Sequence, residues 1–313
     1  MFLWNILLLL MLNYFIPNSK KGIITCSLRD DGMGAQIHSI YSALLYSKAA
    51  KKKYFYTPLK KVAHNYTKDP QWEKKVENFF GLTFNNIINE CNVKTVNLDL
   101  SLSILKYILY FFFISRKKPV LFKKEHFHEY AEEFISEYSI ILDEIKVAFN
   151  QNKASFNSLR NENVLMVACH IRRGDVSSNN LNNINRFTDN NKIEIRIKYL
   201  ITLFKKNKIK YDLHFFSQGK EGDFGELIKY GQFHLDDNPF AHFFNMTIAD
   251  IFLMSKSSFS YTSAMLSSGI VCYEKFWHKP FPEWCIIEEN NLNKSGIERE
   301  LKKYILLKTQ NFE

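Results

Sequence analysis

The chain lacks the marks of several common protein classes. Its five cysteines, Cys26, Cys91, Cys169, Cys272 and Cys285, form no C-x-x-C pair. That spacing argues against a structural zinc site, and an odd count argues against a disulfide framework, although a single bridge stays open. Cys26 and Cys169 lie inside apolar runs, where cysteine serves as a small core residue. There is no internal repeat, no nucleic-acid motif and no basic helix with interleaved stacking aromatics. No apolar run reaches the roughly 20 residues of a membrane span. The opening segment, "MFLWNILLLLMLNYFIP", has neither a basic flank nor a small-residue cleavage site.

What is present is an ordinary globular composition over 313 residues: 46% hydrophobic, 24% charged, and 15% aromatic with Phe as the chief contributor. That length suits two α/β domains better than one small core. A net charge of +10 points to an anionic partner. Its lysines sit in short clusters such as "KAAKKK", "RKKP" and "KKNKIK", which read as solvated faces, helix ends and loops. Nucleic acid is therefore not the expected partner. The apolar leader favours membrane or secretory targeting, Golgi-like, with association through residues 2–16. The alternative is an extra helix packed on a cytoplasmic protein. Sequons at Asn65, Asn245 and Asn293 fit secretion but arise easily in an Asn-rich chain.

Periodicity divides the chain further. "GIITCSL" predicts a strand, "RDDGMGAQIHSIYSALLYSKAAKK" a glycine-containing turn and helix, and "KYFYTP" a second strand. "LSILKYILYFFFI" is a second apolar run, too short to cross a bilayer. "HEYAEEFISEYSIILDEIKVAF" predicts one amphipathic helix. Polar "NQNKASFNSLRNEN" marks the best boundary, giving a leader at 1–19, an N-terminal α/β domain at 20–155 and a C-terminal Rossmann-like domain at 156–313. From "VLMVACHIRRGD" onward strands and helices alternate, with "IVCYEKF" expected as the last strand and "SGIERELKKYILLK" as a closing helix. That alternation argues a parallel, doubly wound sheet.

Ligands of open α/β sheets bind beyond the carboxyl ends of strands. Three stretches are expected there. "DDGMGAQ" carries Gly32 and Gly34, which permit close backbone approach. "HIRRGD" carries His170, Arg172, Arg173 and Asp175 directly after a buried strand. A guanidinium fork matches phosphate, and adjacent residues of an extended segment face opposite ways, so one arginine should meet the ligand while the other anchors the loop. Asp175 could orient an arginine or take a proton. "SKSSFSYTSAML" puts Ser257 and Ser258 where a strand turns into a helix, a place suited to phosphate. Each stretch also has a bland reading: a plain turn, a surface ion-pair cluster, a serine N-cap.

Together the three resemble the GDP-fucose-dependent fucosyltransferases that share an H-x-R-R-x-D motif: the α-1,2 enzymes of glycosyltransferase family 11, related to the α-1,6 and protein O-fucosyltransferases. The resemblance spans most of residues 22–275, and its arginine motif is the specific part. It implies a GT-B-like α/β fold, two Rossmann-like domains with a donor cleft, GDP-fucose as donor, a glycan acceptor, inversion and no metal. The missing D-x-D motif agrees with metal independence. By motif, Arg172 would grip the diphosphate, His170 would lie near guanine, and Ser257 and Ser258 would hold phosphate or ribose. The expected donor set also includes Gly32, Gly34, Gln36, Arg173, His242, Asp250 and Phe259. Asp175 is the first candidate base and His38 the weaker one. "FSQG" stands where relatives often have paired acids, and "FSYT" replaces a common aromatic pair. Those departures leave the linkage open between α-1,2, α-1,6 and O-linked, and the donor open to another GDP-sugar. "EHFHE" is expected as an exposed polar face rather than a metal site. A different class stays on the table: an adhesion or glycan-binding protein using Arg173-Gly174-Asp175.

Overall fold

The computed structural model describes residues 22–66, 68–82, 94–98, 120–125, 127–132, 139–151, 156–161, 163–177, 184–288, 291–292 and 296–303. The apolar leader, the "LSILKYILYFFFI" run and His126 lie outside these residues. Among them, no helix is long and apolar enough to cross a membrane. The chain forms two compact units, Met1–Asn152 and Lys153–Glu313, each a mixed α/β structure around a parallel sheet.

In the first unit, β1 (Gly22–Cys26) leads through a loop into helix α1 (Met33–Ala49) and then β2 (Lys53–Tyr54). Helix α2 spans Trp72–Phe80 and ends at Gly81, whose φ of 65° is the left-handed conformation that glycine supplies at a helix end. Strands β3 (Lys94–Asn97) and β4 (Val120–Lys124) and helix α3 (Ser139–Asn150) follow. The sheet order is β2-β1-β4-β3, all parallel. The described parts of the stretch predicted as one helix are helical over His128–Ala131 and Ser139–Asn150. His128 is not the exposed polar residue expected: it is half-buried and its ring stacks on His38 with centroids 5.3 Å apart.

The second unit opens with β5 (Leu165–His170), followed by α4 (Asn190–Lys206), β6 (Tyr211–Ser217), a 3-10 segment (Glu221–Lys229) and β7 (Gln232–Leu235). Helix α5 (Pro239–Ile248), β8 (Ile251–Leu253), α6 (Ser258–Leu266) and β9 (Ile270–Glu274) come next. The expected last strand, β9, is succeeded by β10 (Cys285–Glu288) and by β11 (Asn291–Leu292), which pairs antiparallel with β10. The aromatic, proline-containing stretch between β9 and β10 hid that return in the sequence.

Local chemistry explains the helix starts. Asp189 caps α4 by accepting the Asn191 amide at 2.8 Å, and Asn238 caps α5 by accepting the Phe240 amide at 2.9 Å, with Pro239 in the first turn. The central strand β5 is buried on both faces, as a parallel strand covered by helices must be. Leu165, Val167 and Cys169 join Ile193, Ile197 and Leu200 of α4 in one core, while α5 packs against β5 from its own side. Burying a side chain such as Ile197, fully inaccessible here, stabilises by about 1.5–3 kcal/mol.

The sheet order is β11-β10-β9-β8-β5-β6-β7. The chain starts in the middle at β5, winds outward through β6 and β7, then returns to the other side of β5 and winds outward through β8, β9 and β10. This reversal places the loops after β5 and β8 side by side at the carboxyl edge, the crevice where doubly wound sheets take ligands.

At the opposite edge the packing is close. A Cβ on Gly269 would lie 2.1 Å from the Ala249 carbonyl oxygen and 2.7 Å from that of Asp250. Backbone, not a flexible side chain, would have to move. Gly269→Ala should therefore lower stability by about 1–3 kcal/mol, read as a fall in the urea midpoint, while Gly222→Ala, with open space around its Cβ position, should change it much less.

Candidate functional site

The two loops at the switch point are tied directly. His170, the last residue of β5, shares a hydrogen bond of 2.8 Å between its Nδ1 and the Ser255 hydroxyl, just past β8. Its ring also lies against Phe259 of α6, centroids 5.6 Å apart, and Phe259 meets Phe243 of α5 edge-on at 5.4 Å. The loop after β8 is fixed by its own polar groups. The Ser255 amide donates to the Ser260 hydroxyl at 3.0 Å, and the Ser257 side chain caps α6 by accepting the Phe259 amide at 3.2 Å. Ser257 is thus a helix cap, and it, Ser258 and Phe259 stand together at the amino end of α6. There the unsatisfied amides and the helix dipole favour a negative charge.

The arginine pair divides its work. Arg172 forms an ion pair of 2.6 Å with Asp175 and keeps 18% of its side chain exposed. Arg173 is turned into the protein. Its Nη1 donates to the Arg172 carbonyl at 2.8 Å, and its Nη2 donates to the Thr188 carbonyl at 3.0 Å and to the Asn190 side chain at 2.6 Å. The guanidinium also covers the Phe187 ring at 4.4 Å. Arg173 is therefore the loop's anchor. An adhesion tripeptide needs this arginine at a loop tip, so the geometry speaks against that class. Gly174 turns the loop with φ of 81°, against the Gln218 side chain of the neighbouring loop.

Two further residues of the expected donor set are engaged within the protein. Asp250 precedes β8 and so sits at the amino edge of the sheet, away from the carboxyl-edge loops. Only 1% of it is exposed, and its carboxylate accepts from Arg160 at 2.6 Å and from the Met166 amide at 2.8 Å. It holds the chain entering β5 to β8. Gln36, in the first unit, is buried and donates to the Asp31 and Lys61 carbonyls at 2.8 and 2.7 Å. It fastens the glycine loop rather than offering its amide nitrogen to a ligand. Gly32 sits where a Cβ would press on the His64 ring at 2.9 Å, and Gly34 is buried in the first turn of α1. His38 is 3% exposed and covered by His128.

His242 of α5 meets the Phe216 ring at 5.2 Å, and Phe216 stacks on His234 at 5.0 Å. His234 in turn shares a hydrogen bond of 3.1 Å with His214. Burial depresses all four histidines of this unit's sheet and helix: His170 to about 3, with Arg172 and His242 adding repulsion, His242 to about 4, and His214 and His234 below the ordinary imidazole range.

Several residues of this edge escaped the sequence reading. Glu274 closes β9, 6% exposed, and accepts from Arg196 at 3.0 and 3.1 Å and from Thr188 at 2.9 Å, with Lys256 at 3.8 Å. Ser217 ties the end of β6 to the Ile171 carbonyl at 2.7 Å.

No protein-family model and no curated protein matches the chain. Among solved structures it is similar to the heptosyltransferase WaaC of E. coli, with 11% identity over 90% of this chain and 99% of that one and a TM-score of 0.42. It is also similar to the α-1,6-fucosyltransferase NodZ crystallised with GDP, at 10% identity over 79% and 93% with a TM-score of 0.33. A third is POFUT1 in complex with GDP, at 13% identity over 82% and 75% with a TM-score of 0.25.

The histidines set an acid limit. Each prefers its neutral form in the folded chain, whereas the unfolded chain takes up the proton near the ordinary value of about 6.5. Their contribution is complete above that value and is lost as pH falls through it toward the depressed folded values. The melting temperature should thus hold steady from about pH 8 to 7 and drop between about pH 6 and 4. The His170 ring resonances should stay in their neutral position over the same range. A His170 that titrates near its ordinary value would contradict the burial described.

Proposed function

We propose that the protein is an inverting glycosyltransferase that moves fucose from GDP-fucose to a glycan hydroxyl without a metal ion, with α-1,2 linkage the first choice. The observation that carries this is the juxtaposition at the switch point. A partly exposed arginine, Arg172, follows β5, a serine-rich helix start follows β8, and the His170–Ser255 bond joins the two. A guanidinium and a helix amino end on one sheet edge form a diphosphate site. The sequence resemblance supplies guanosine and fucose; α-1,6 or O-linked transfer and other GDP-sugars are the neighbouring choices.

In this reading the bond between the sugar C1 and the diphosphate oxygen breaks, and its electron pair stays on the leaving GDP. The acceptor oxygen attacks C1 from the opposite face through an oxocarbenium-like state, as in glycoside chemistry. Arg172 and the first turn of α6 stabilise the charge gathering on the diphosphate, the term that dominates where charge develops. Neutral His170 gives a hydrogen-bonded surface beside the base without adding a second positive charge. Asp175 holds the Arg172 guanidinium at 2.6 Å, and we assign it orientation. To act as the base it would have to leave that pair. The acceptor's proton then passes to another group or to water.

GDP release should depend on an acceptor glycan and persist in EDTA. A requirement for manganese or magnesium, or preference for a UDP-sugar, would overturn the assignment. Arg172→Lys keeps the charge but loses the planar fork. It should lower turnover by roughly a hundredfold to a thousandfold with an unchanged melting temperature. Normal turnover in that variant would remove Arg172 from the reaction.

A further inference from the structure

The buried carboxylate at the end of β9 connects to both loops of the candidate site. Glu274 engages Arg196 of α4 through both oxygens, at 3.0 and 3.1 Å. The same two oxygens each accept from the Thr188 hydroxyl at 2.9 Å. Lys256, inside the serine loop, approaches at 3.8 Å. Thr188 is itself buried, and its carbonyl receives the Arg173 guanidinium at 3.0 Å. Arg173 then holds the carbonyl of Arg172 at 2.8 Å. The links run unbroken from Glu274 through Thr188 and Arg173 to the backbone of Arg172.

An interior ion pair of this kind is a poor source of net stability, because removing both charges from water offsets most of their attraction. A connected polar network does rigidify what it touches, and groups that must meet developing charge need such support. We infer that Thr188 and Glu274 are positioning residues that set the backbone of Arg172 for the leaving diphosphate. This deepens the proposed function and rests on its assignment of Arg172. Neither residue touches the donor; each acts through Arg173.

The test uses Thr188→Val, which keeps the shape and the Arg196–Glu274 pair but cuts the hydroxyl link, beside Thr188→Ser, which keeps the hydroxyl. The first readout is backbone hydrogen exchange of residues 170–177 in the full chain without ligand. Exchange there should quicken about tenfold in Thr188→Val and return to the wild-type rate in Thr188→Ser, with melting temperatures close to wild type. The second readout is steady-state turnover of GDP-fucose. In Thr188→Val, kcat should fall about tenfold with little change in KM, the pattern of a group displaced only in the transition state, and Thr188→Ser should restore it. Unchanged exchange in Thr188→Val overturns the inference, as does a Thr188→Ser variant as impaired as Thr188→Val. A wild-type protein that never turns over GDP-fucose defeats the donor assignment alone, and the exchange readout then decides the positioning role.

Discussion

The hydrogen bond between His170 and Ser255 spans the one place in the second sheet where the winding reverses. Strands β5 and β8 are neighbours there although about 80 residues separate their ends. The loops leaving them have no intervening strand, so they can converge on one ligand. Burial favours the neutral imidazole at this contact. Around this contact Phe259 and Phe243 fill the space behind the rings, the Ser257 cap starts α6, and Arg173 draws the other loop inward. Arg172 is left at the rim with Asp175. Remove the reversal and the same residues would be a surface ion-pair cluster and an ordinary helix cap.

The electrostatics of this edge follow a division of labour. Arg196 pairs with the buried Glu274 carboxylate, and the Arg173 guanidinium is spent on carbonyl and amide oxygens inside the protein. Arg172 has its partner three residues on, in a pair open to solvent on the Asp175 side, and pairs of that exposure contribute little stability. The pair engages one guanidinium nitrogen, and the rest of the planar fork can turn toward a phosphate while Asp175 holds it. Depressed histidine values keep further positive charge out of the interior, so the attraction for an anion stays local to the rim.

Much of this was legible before any coordinates. "VLMVACHIRRGD" announces a buried strand with a polar end, and "DIFLMSKSSFSYTSAML" announces strand, turn and helix, because apolar runs and helical spacing are local signals. The sharing of tasks between Arg172 and Arg173 agrees with the expectation that adjacent residues face opposite ways. Asp250 was misplaced because an acid beside an apolar run looks the same at either end of a strand. Only the sheet shows that it sits on the amino side, bound to Arg160 and the Met166 amide. Glu274 and Thr188 gave no signal at all: they are 86 residues apart, and each resembles a surface residue until the fold buries it. Gln36 looked like a ligand amide because loop residues near glycines often are; its donors go instead to two backbone carbonyls.

The central claim is that the carboxyl edge between β5 and β8 receives a nucleoside diphosphate. A crystal structure of the protein grown with GDP tests it most directly. The account predicts the diphosphate against the Arg172 guanidinium and the first-turn amides of α6, with the His170–Ser255 bond intact. A diphosphate bound elsewhere on the chain, with nothing against the Arg172 guanidinium or at the start of α6, would contradict it.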